Sequence, residues 1–262
     1  MTLTISKVFT YDTDAGNYIQ AVEAADGQVL EPATRQAINN FVIGCKQDGI
    51  WNAIKASCIL AGARTLAGAL VPLVGTAPTN FNFVTGDYNR KTGLVGNGST
   101  KYLNSNRNNS SDPQNSKHLA AYITSANTAS LGFPMLLGYQ ISSGNFTGSQ
   151  LFINPAGPNL TGKINSITNN ARYGTALNFA GASRGNSTEE SVRTLGLTVT
   201  VSSSSLSVVS GDIRIFACGF GAGVSNYTNA RLAFYSIGEY LDLALLDGRV
   251  TALITAFTAA IP

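Results

Sequence analysis

Histidine is almost absent from this chain: His118 stands alone, beside three cysteines, one tryptophan and two methionines in 262 residues. That scarcity removes several kinds of chemistry. A zinc site needs Cys and His ligands at short spacing, and Cys45, Cys58 and Cys218 are dispersed. No metal and no cofactor is therefore expected. Gly181-Ala182-Ser183-Arg184-Gly185 matches G-x-S-x-G, but a nucleophile elbow needs a strand-turn-helix and a base that follows the serine. The single histidine precedes Ser183, so the segment reads as a plain turn. A glycosidase sets two carboxyls across a cleft; here Glu189-Glu190 adjoins a turn and Asp87, Asp112 and Asp212 are scattered. The chain is expected not to be an enzyme.

Charge is also sparse. Asp, Glu, Lys and Arg make up 12% of the residues, about half of the ~25% usual in soluble domains. Asn, Ser, Thr and Gly take their place. A net charge of +3 with dispersed Lys and Arg gives no footprint for nucleic acid. The odd cysteine count points to buried free thiols and a reducing compartment. No charged n-region followed by an apolar h-region is seen at the start, so no secretory leader is expected. No uninterrupted apolar run approaches the ~18 residues that would span a bilayer, so membrane insertion is not expected.

What is present falls into three parts: an N-terminal arm and helical module over 1–76, a β-sandwich over 77–238, and a C-terminal helix within 239–262. Residues 1–10 read as a β-like arm. Asp14 can cap a helix bearing Tyr18, Ile19 and Val22, with Gly27 as its stop. Pro32 suits the first turn of a second helix whose Ile38, Phe41, Val42 and Cys45 recur at helical spacing. Trp51, Ile54 and Cys58 read as the core stripe of a third helix. The apolar connector from Leu66 to Gly75 must pack on something. Leu246, Val250, Leu253, Ile254, Phe257 and Ile261 form the stripe of the closing helix, for docking on the sandwich or a neighbour.

Between these ends the period is alternating and polar turns punctuate the chain. Leu195, Leu197, Val199 and Val201 fall on one face, with Gly196, Thr198, Thr200 and Ser202 on the other, a half-buried strand. After a reversal at 202–205, Leu206 and Val208, then Ile213, Ile215 and Ala217, resume the apolar face. Three consecutive antiparallel strands at the sandwich centre are expected. About a dozen strands in all suit two large sheets. Gly219–Gly223 reads as a glycine-rich loop joining strands, not a dinucleotide loop. His118 opens a strand whose inward residues are Leu119, Ala121 and Ile123, so it is expected at the surface with Tyr122.

Two stretches carry a resemblance. GDYNRKTGLVGNGSTKYLNSN (Gly86–Asn106) holds a G-x-G-x-x-x-Y-L element that resembles the opening strands of laminin-G-like, concanavalin A-type domains. RLAFYSIGEYLDLALLDGRVTALITAF (Arg231–Phe257) resembles their closing strand and trailing helix. Together with Gln36–Phe83 the whole is similar to virion structural proteins of tailed bacteriophages, often tail or fibre components. The resemblance implies a mainly β, concanavalin A-like jelly-roll sandwich with an N-terminal helical module and a C-terminal helix. It also implies a lectin-like tail or fibre protein for host-surface attachment, located in the virion after assembly in the host cytoplasm. A structural decoration, collar or adaptor without ligand is the alternative, with a polysaccharide depolymerase ranked below both. Expected partners are other copies of the chain (a trimer by fibre analogy), other virion proteins and a host cell-surface glycan. Calcium-site residues of laminin-G domains are not recognisable. Asn145, Phe146, Tyr173, Asn226 and Tyr227, in predicted polar turns, are the candidate carbohydrate-binding residues, because aromatic faces and amides suit sugars.

Overall fold

The computed structural model describes residues 10–126, 132–142, 145–154, 159–173 and 177–262. The chain runs α1 (Thr13–Asp26), α2 (Pro32–Gln47), β1 (Ile54–Ile59), α3 (Leu66–Ala69), β2 (Thr79–Phe81), β3 (Tyr88–Asn89), β4 (Gly93–Val95) and β5 (Tyr102–Asn108). It continues through β6 (Lys117–Ser125), β7 (Met135–Ser142), β8 (Asn145–Asn154), β9 (Asn159–Ser166), β10 (Asn170–Tyr173), β11 (Asn178–Arg184), β12 (Glu189–Thr194) and β13 (Leu197–Ser202). Then come β14 (Asp212–Ile215), β15 (Cys218–Phe220), β16 (Gly223–Ser225), β17 (Arg231–Gly238) and α4 (Leu243–Ala260).

The strands make two sheets. The first, of eight strands, is ordered β13-β12-β11-β6-β17-β4-β3, with β1 also paired to β17; the second, of nine, is ordered β10-β9-β8-β7-β14-β5-β2, with β15 and β16 attached beside β7. Leu119, Ile123, Leu232 and Ile237 of the first sheet meet Leu103, Leu137, Leu151 and Ile215 of the second in one core. A second core lies on the other face of the first sheet, where Ala120, Tyr122, Phe179 and Phe234 pack under the helices. The expected mainly β sandwich with flanking helices is thus the observed architecture.

The first two helices follow their local signals. Asp12 rather than Asp14 caps α1, its carboxylate accepting from the Asp14 amide at 3.0 Å, and Gly27 ends the helix in the left-handed region at φ 64°. Pro32 opens α2, and its stripe Ile38, Phe41, Val42 and Cys45 is buried. In α4, Leu246, Val250, Leu253, Ile254 and Phe257 are buried toward α2 and β11. The α2–α4 contact is closed at its rim by Arg249 and Asp48, 2.7 Å apart. With 18 residues and a mean hydropathy of 1.4, α4 is long and apolar enough to cross a membrane by those measures. Here its stripe lies against the sheet and α2.

Several expectations need correction, and most share one cause. The third helix is a single 3-10 turn, Trp51–Ala53, followed by β1. β1 pairs with β17 from Ile54↔Gly238 to Ile59↔Phe234, so a piece of the 1–76 segment belongs to the sandwich. His118 is fully buried, not on the surface. Because helices cover the outer face of the first sheet, β1, β6 and β17 are buried on both faces, and alternation no longer distinguishes inside from outside. His118 hydrogen-bonds the Glu239 carbonyl through Nδ1 at 2.6 Å and Ser236 Oγ through Nε2 at 2.7 Å. Burial pushes its pKa down to about 4, although the Glu239 contact works the other way. The ring is therefore neutral at pH 7, with Nδ1–H donating and Nε2 accepting.

The segment from Val192 to Cys218 is not the sandwich centre. Leu195 and Gly196 form the turn between β12 and β13, both with positive φ (50° and 73°). β13 is the outermost strand of the first sheet, with Leu197 56% exposed. Residues 203–211 then leave that sheet without forming a strand, and β14 enters the second sheet between β5 and β7. The G-x-S-x-G segment is no turn either: Ser183 and Arg184 lie buried in β11. Glu190 is likewise buried in β12, where Arg184 Nη2 donates to its carboxylate at 2.9 Å. The connector from Leu66 is used within the chain, with Ala69 and Leu73 in the helix-side core. That weakens the case for an oligomer built on it.

All three cysteines are free and buried. Burial pushes each thiol up to about 12, so none is a nucleophile at neutral pH.

Candidate functional site

The outer face of the second sheet is where exposed aromatics and polar groups converge. On β5, Leu103 and Ser105 are buried toward the other sheet. Tyr102 and Asn104 must then emerge on the opposite face, because side chains alternate along a strand. β2 pairs with β5 so that Phe81 lies across from Tyr102 and Thr79 across from Asn104. On the other side of β5, Arg214 of β14 is the partner of Asn104. Two adjacent rungs result, one aromatic and one polar.

The aromatic rung is well defined. Phe81 and Tyr102 stack with centroids 4.4 Å apart and planes 6° from parallel. Tyr227 leans on Tyr102 at 6.2 Å and 60°. Phe81 is 38% exposed, so an aromatic face remains open to solvent. Burial raises the Tyr227 phenol above its ordinary pKa, as does neighbouring Tyr102, which keeps it protonated.

The polar rung is tied together by its own hydrogen bonds. Arg214 Nη1 donates to Asn104 Oδ1 at 2.6 Å and to the Asp212 carbonyl at 3.0 Å. Asn104 Nδ2 donates to Asp212 Oδ2 at 3.0 Å. Asn106 Nδ2 donates to Thr79 Oγ1 at 3.0 Å. Arg214 Nε is buried without a hydrogen-bond partner, the kind of exception that calls for a functional or structural reason. The rung continues through Gly138 and Gln150 to Lys163, the last two buried. Burial pushes the Lys163 ammonium down to about 8, partly offset by Cys218 and Glu190.

This arrangement can hold a polyhydroxylated ligand. An aromatic ring covers the apolar face of a sugar, while amide, guanidinium and hydroxyl groups supply both donors and acceptors at its edge. No group of three or more His, Cys, Asp or Glu that could hold a metal is present among the described residues.

Of the candidate residues named from sequence, the structure brings Tyr227 into this site. Asn226 precedes it with a left-handed backbone, φ 55°, and its carbonyl accepts from the Met135 amide at 2.8 Å. Asn145, Phe146 and Tyr173 are not in turns: the first two open β8 and the third ends β10. Their side chains lie outside the described residues. Phe81, Tyr102, Asn104 and Arg214 were missed. The signal for two of them was present, since a strand with Leu103 inward must turn Tyr102 and Asn104 outward.

No family model matches the sequence, and no curated protein matches it. Solved structures do match in fold. A mutant of Trypanosoma rangeli sialidase displaying trans-sialidase activity aligns with a TM-score of 0.50 and 10% identity, covering 83% of this chain and 39% of that one. Trypanosoma rangeli sialidase in complex with 2,3-difluorosialic acid aligns with a TM-score of 0.51 and 10% identity, covering 92% and 38%. The botulinum neurotoxin serotype D binding domain aligns with a TM-score of 0.50 and 13% identity, covering 77% and 52%. The shared fold is a β-sandwich of two large sheets. The chain spans between 38% and 52% of the lengths of these three proteins. At these identities the likeness shows the fold alone.

That likeness corrects one expectation. Scarce histidine and unpaired carboxylates led to a reading of this chain as not an enzyme. Yet most of its length superposes on sialidase chains. The architecture therefore occurs in enzymes that act on sugars, and the exclusion drawn from composition does not stand.

Proposed function

We propose that the chain is a glycan-binding sandwich, and that it serves host-surface attachment as a tail or fibre component of a bacteriophage virion. The observation that carries glycan binding is the open, stacked Phe81–Tyr102 pair beside the Asn104–Arg214 rung. A flat aromatic surface next to a preformed set of amide and guanidinium donors is what a sugar ring needs. The fold is shared with a sialidase held in complex with 2,3-difluorosialic acid, which also supports a saccharide ligand. The virion assignment is supported by the Gly86–Asn106 and Arg231–Phe257 resemblances and by a surface rich in Asn, Ser, Thr and Gly with little charge.

A glycan array probed with the purified chain tests the binding half of this reading. Selective retention of a small set of glycans is expected, and a blank array at micromolar protein contradicts it. Electron microscopy of particles labelled with antibody to the chain tests the other half, with label on the tail or fibres as the expected result.

A further inference from the structure

A second cleft shares no lining residue with the outer-face site. It opens between α1, the 3-10 turn Trp51–Ala53, β1 and residues 72–74, with a volume of about 430 Å³. That size is within the range of small-molecule sites. A smaller depression of about 330 Å³ shares Asp14, Trp51 and Asn52 with it and adds Lys46 and Gly49. We propose that this cleft, with Trp51 as its platform and Asn17 and Asn52 as its hydrogen-bonding arms, binds a neutral saccharide.

The cleft is preformed, because its walls are fixed by the backbone. The Ser57 amide donates to the Val74 carbonyl at 3.0 Å and the Leu73 amide to the Ser57 carbonyl at 2.9 Å, so residues 72–74 are fastened to β1. Gly75 permits that approach: its φ is +86°, and a methyl group there would overlap the Lys55 carbonyl oxygen. The 3-10 turn is fastened from the other side, the Glu239 amide donating to the Ala53 carbonyl at 2.9 Å. Gly238 allows it, since a methyl there would overlap the Ala53 carbonyl oxygen. Trp51 is held as well. Lys46 sits 5.8 Å from the ring centroid and is pinned by Asp12 at 2.7 Å and Asp14 at 2.6 Å. The larger cleft has Trp51 but not Lys46 in its lining, so part of the indole faces open space.

The chemistry selects the ligand. The charged residues lining the cleft are Asp14 and Lys55, one of each sign, and each is paired in place, Asp14 with Lys46 at 2.6 Å and Lys55 with Glu239 at 3.1 Å. A cationic ligand would meet the Lys55 ammonium, and an anionic one would meet the Asp14 carboxylate. Neither Asn17 nor Asn52 makes a side-chain hydrogen bond among the described residues. Both amides are exposed at the cleft and can donate and accept at once. An indole face, two free amides and no net charge fit a neutral sugar ring.

Trp51 is the only tryptophan in the chain, so its fluorescence reports on this cleft alone. The experiment titrates lactose, maltose and chitobiose, with glucuronic acid and glucosamine as charged probes, into the full chain. A saturable change in emission with at least one neutral disaccharide is expected. Asn52→Ala, at an exposed position, should weaken that response by about tenfold, as loss of one or two hydrogen bonds would. Tyr102→Ala should leave it unchanged, which separates this cleft from the outer-face site. No saturable response, a response to charged probes only, or loss of the response in Tyr102→Ala would each overturn the proposal.

Discussion

Phe81 and Tyr102 face each other across two neighbouring strands, 4.4 Å apart and almost parallel. The pair is a cross-strand contact at the margin of its sheet, where β2 is only three residues long. Such a pair contributes ~0.5–1.5 kcal/mol beyond area burial. Phe81→Ser is therefore expected to lower the midpoint of thermal unfolding by only a few degrees while removing an exposed apolar face. Circular dichroism melts of the variant and parent check this. A collapse of the fold would mean that the ring is structural rather than available to a ligand.

Arg184 and Glu190 form the most deeply buried ion pair described, with both side chains at 1% exposure or less. Arg184 also donates from Nε to the Ile164 carbonyl at 2.8 Å and from Nη1 to the Ser203 carbonyl at 2.7 Å. The Ile164 amide donates to Glu190 at 2.9 Å. The pair thus links β11 and β12 of one sheet to β9 of the other. Burial raises the Glu190 pKa despite these donors. Glu190→Ala leaves a buried guanidinium without its counter-charge, and a loss of about 3–5 kcal/mol is expected in denaturant unfolding. A loss under about 1 kcal/mol would show that Arg184 is satisfied by carbonyls alone.

His118 makes stability depend on pH. Its folded pKa is held at about 4, below the ~6.5 of an unfolded chain. Between those values the unfolded state binds the extra proton, so stability is full above about 6.5 and falls as pH drops toward about 4. The loss at the lower end is on the order of 3 kcal/mol. Unfolding midpoints measured across this window should fall more steeply for the parent than for His118→Gln. Parallel curves would show that other groups set the acid limit.

Asp26 joins the end of α1 to the start of α3. Its carboxylate accepts from the Arg64 amide at 2.6 Å, the Thr65 amide at 2.8 Å and Thr65 Oγ1 at 2.7 Å. Asp26→Ala would leave these donors unpaired at a mostly buried site, and a loss of about 2–4 kcal/mol is expected. Hydrogen exchange should show the added opening first at 64–70. If protection there is unchanged, the joint is held by packing alone.

How much of this was legible in the sequence differs from element to element. α1, α2 and α4 could be read because each covers one face only, and Gly27 just past the end of α1 and Pro32 in the first turn of α2 mark two of their limits. β6, from inward Leu119, Ala121 and Ile123, and β17, from the closing stretch at Arg231, are recognisable as strands. The failures come from tertiary context. β1 reads as helix in the sequence because Ile54 and Cys58 are four apart, a spacing that a strand buried on both faces also produces. His118 reads as exposed because nothing local says that α2 and α4 cover its sheet. Leu197, Val199 and Val201 alternate cleanly, yet β13 is at the sheet edge, and alternation does not reveal what, if anything, faces the apolar side. The candidate site suffered similarly. Aromatics in turns were preferred, whereas Phe81 and Tyr102 act from strands and are brought together only by the β2–β5 register. Tyr227 was found because its segment is irregular, and its contact with Tyr102 spans more than a hundred residues of chain.

Glycan binding by the stacked aromatic pair on the second sheet is tested by isothermal titration of the best glycan from the array into the parent chain and into Tyr102→Ala. Affinity weakened by about tenfold or more, equivalent to at least ~1.4 kcal/mol, is expected, with the unfolding midpoint little changed. Equal affinity in a folded Tyr102→Ala variant would contradict it.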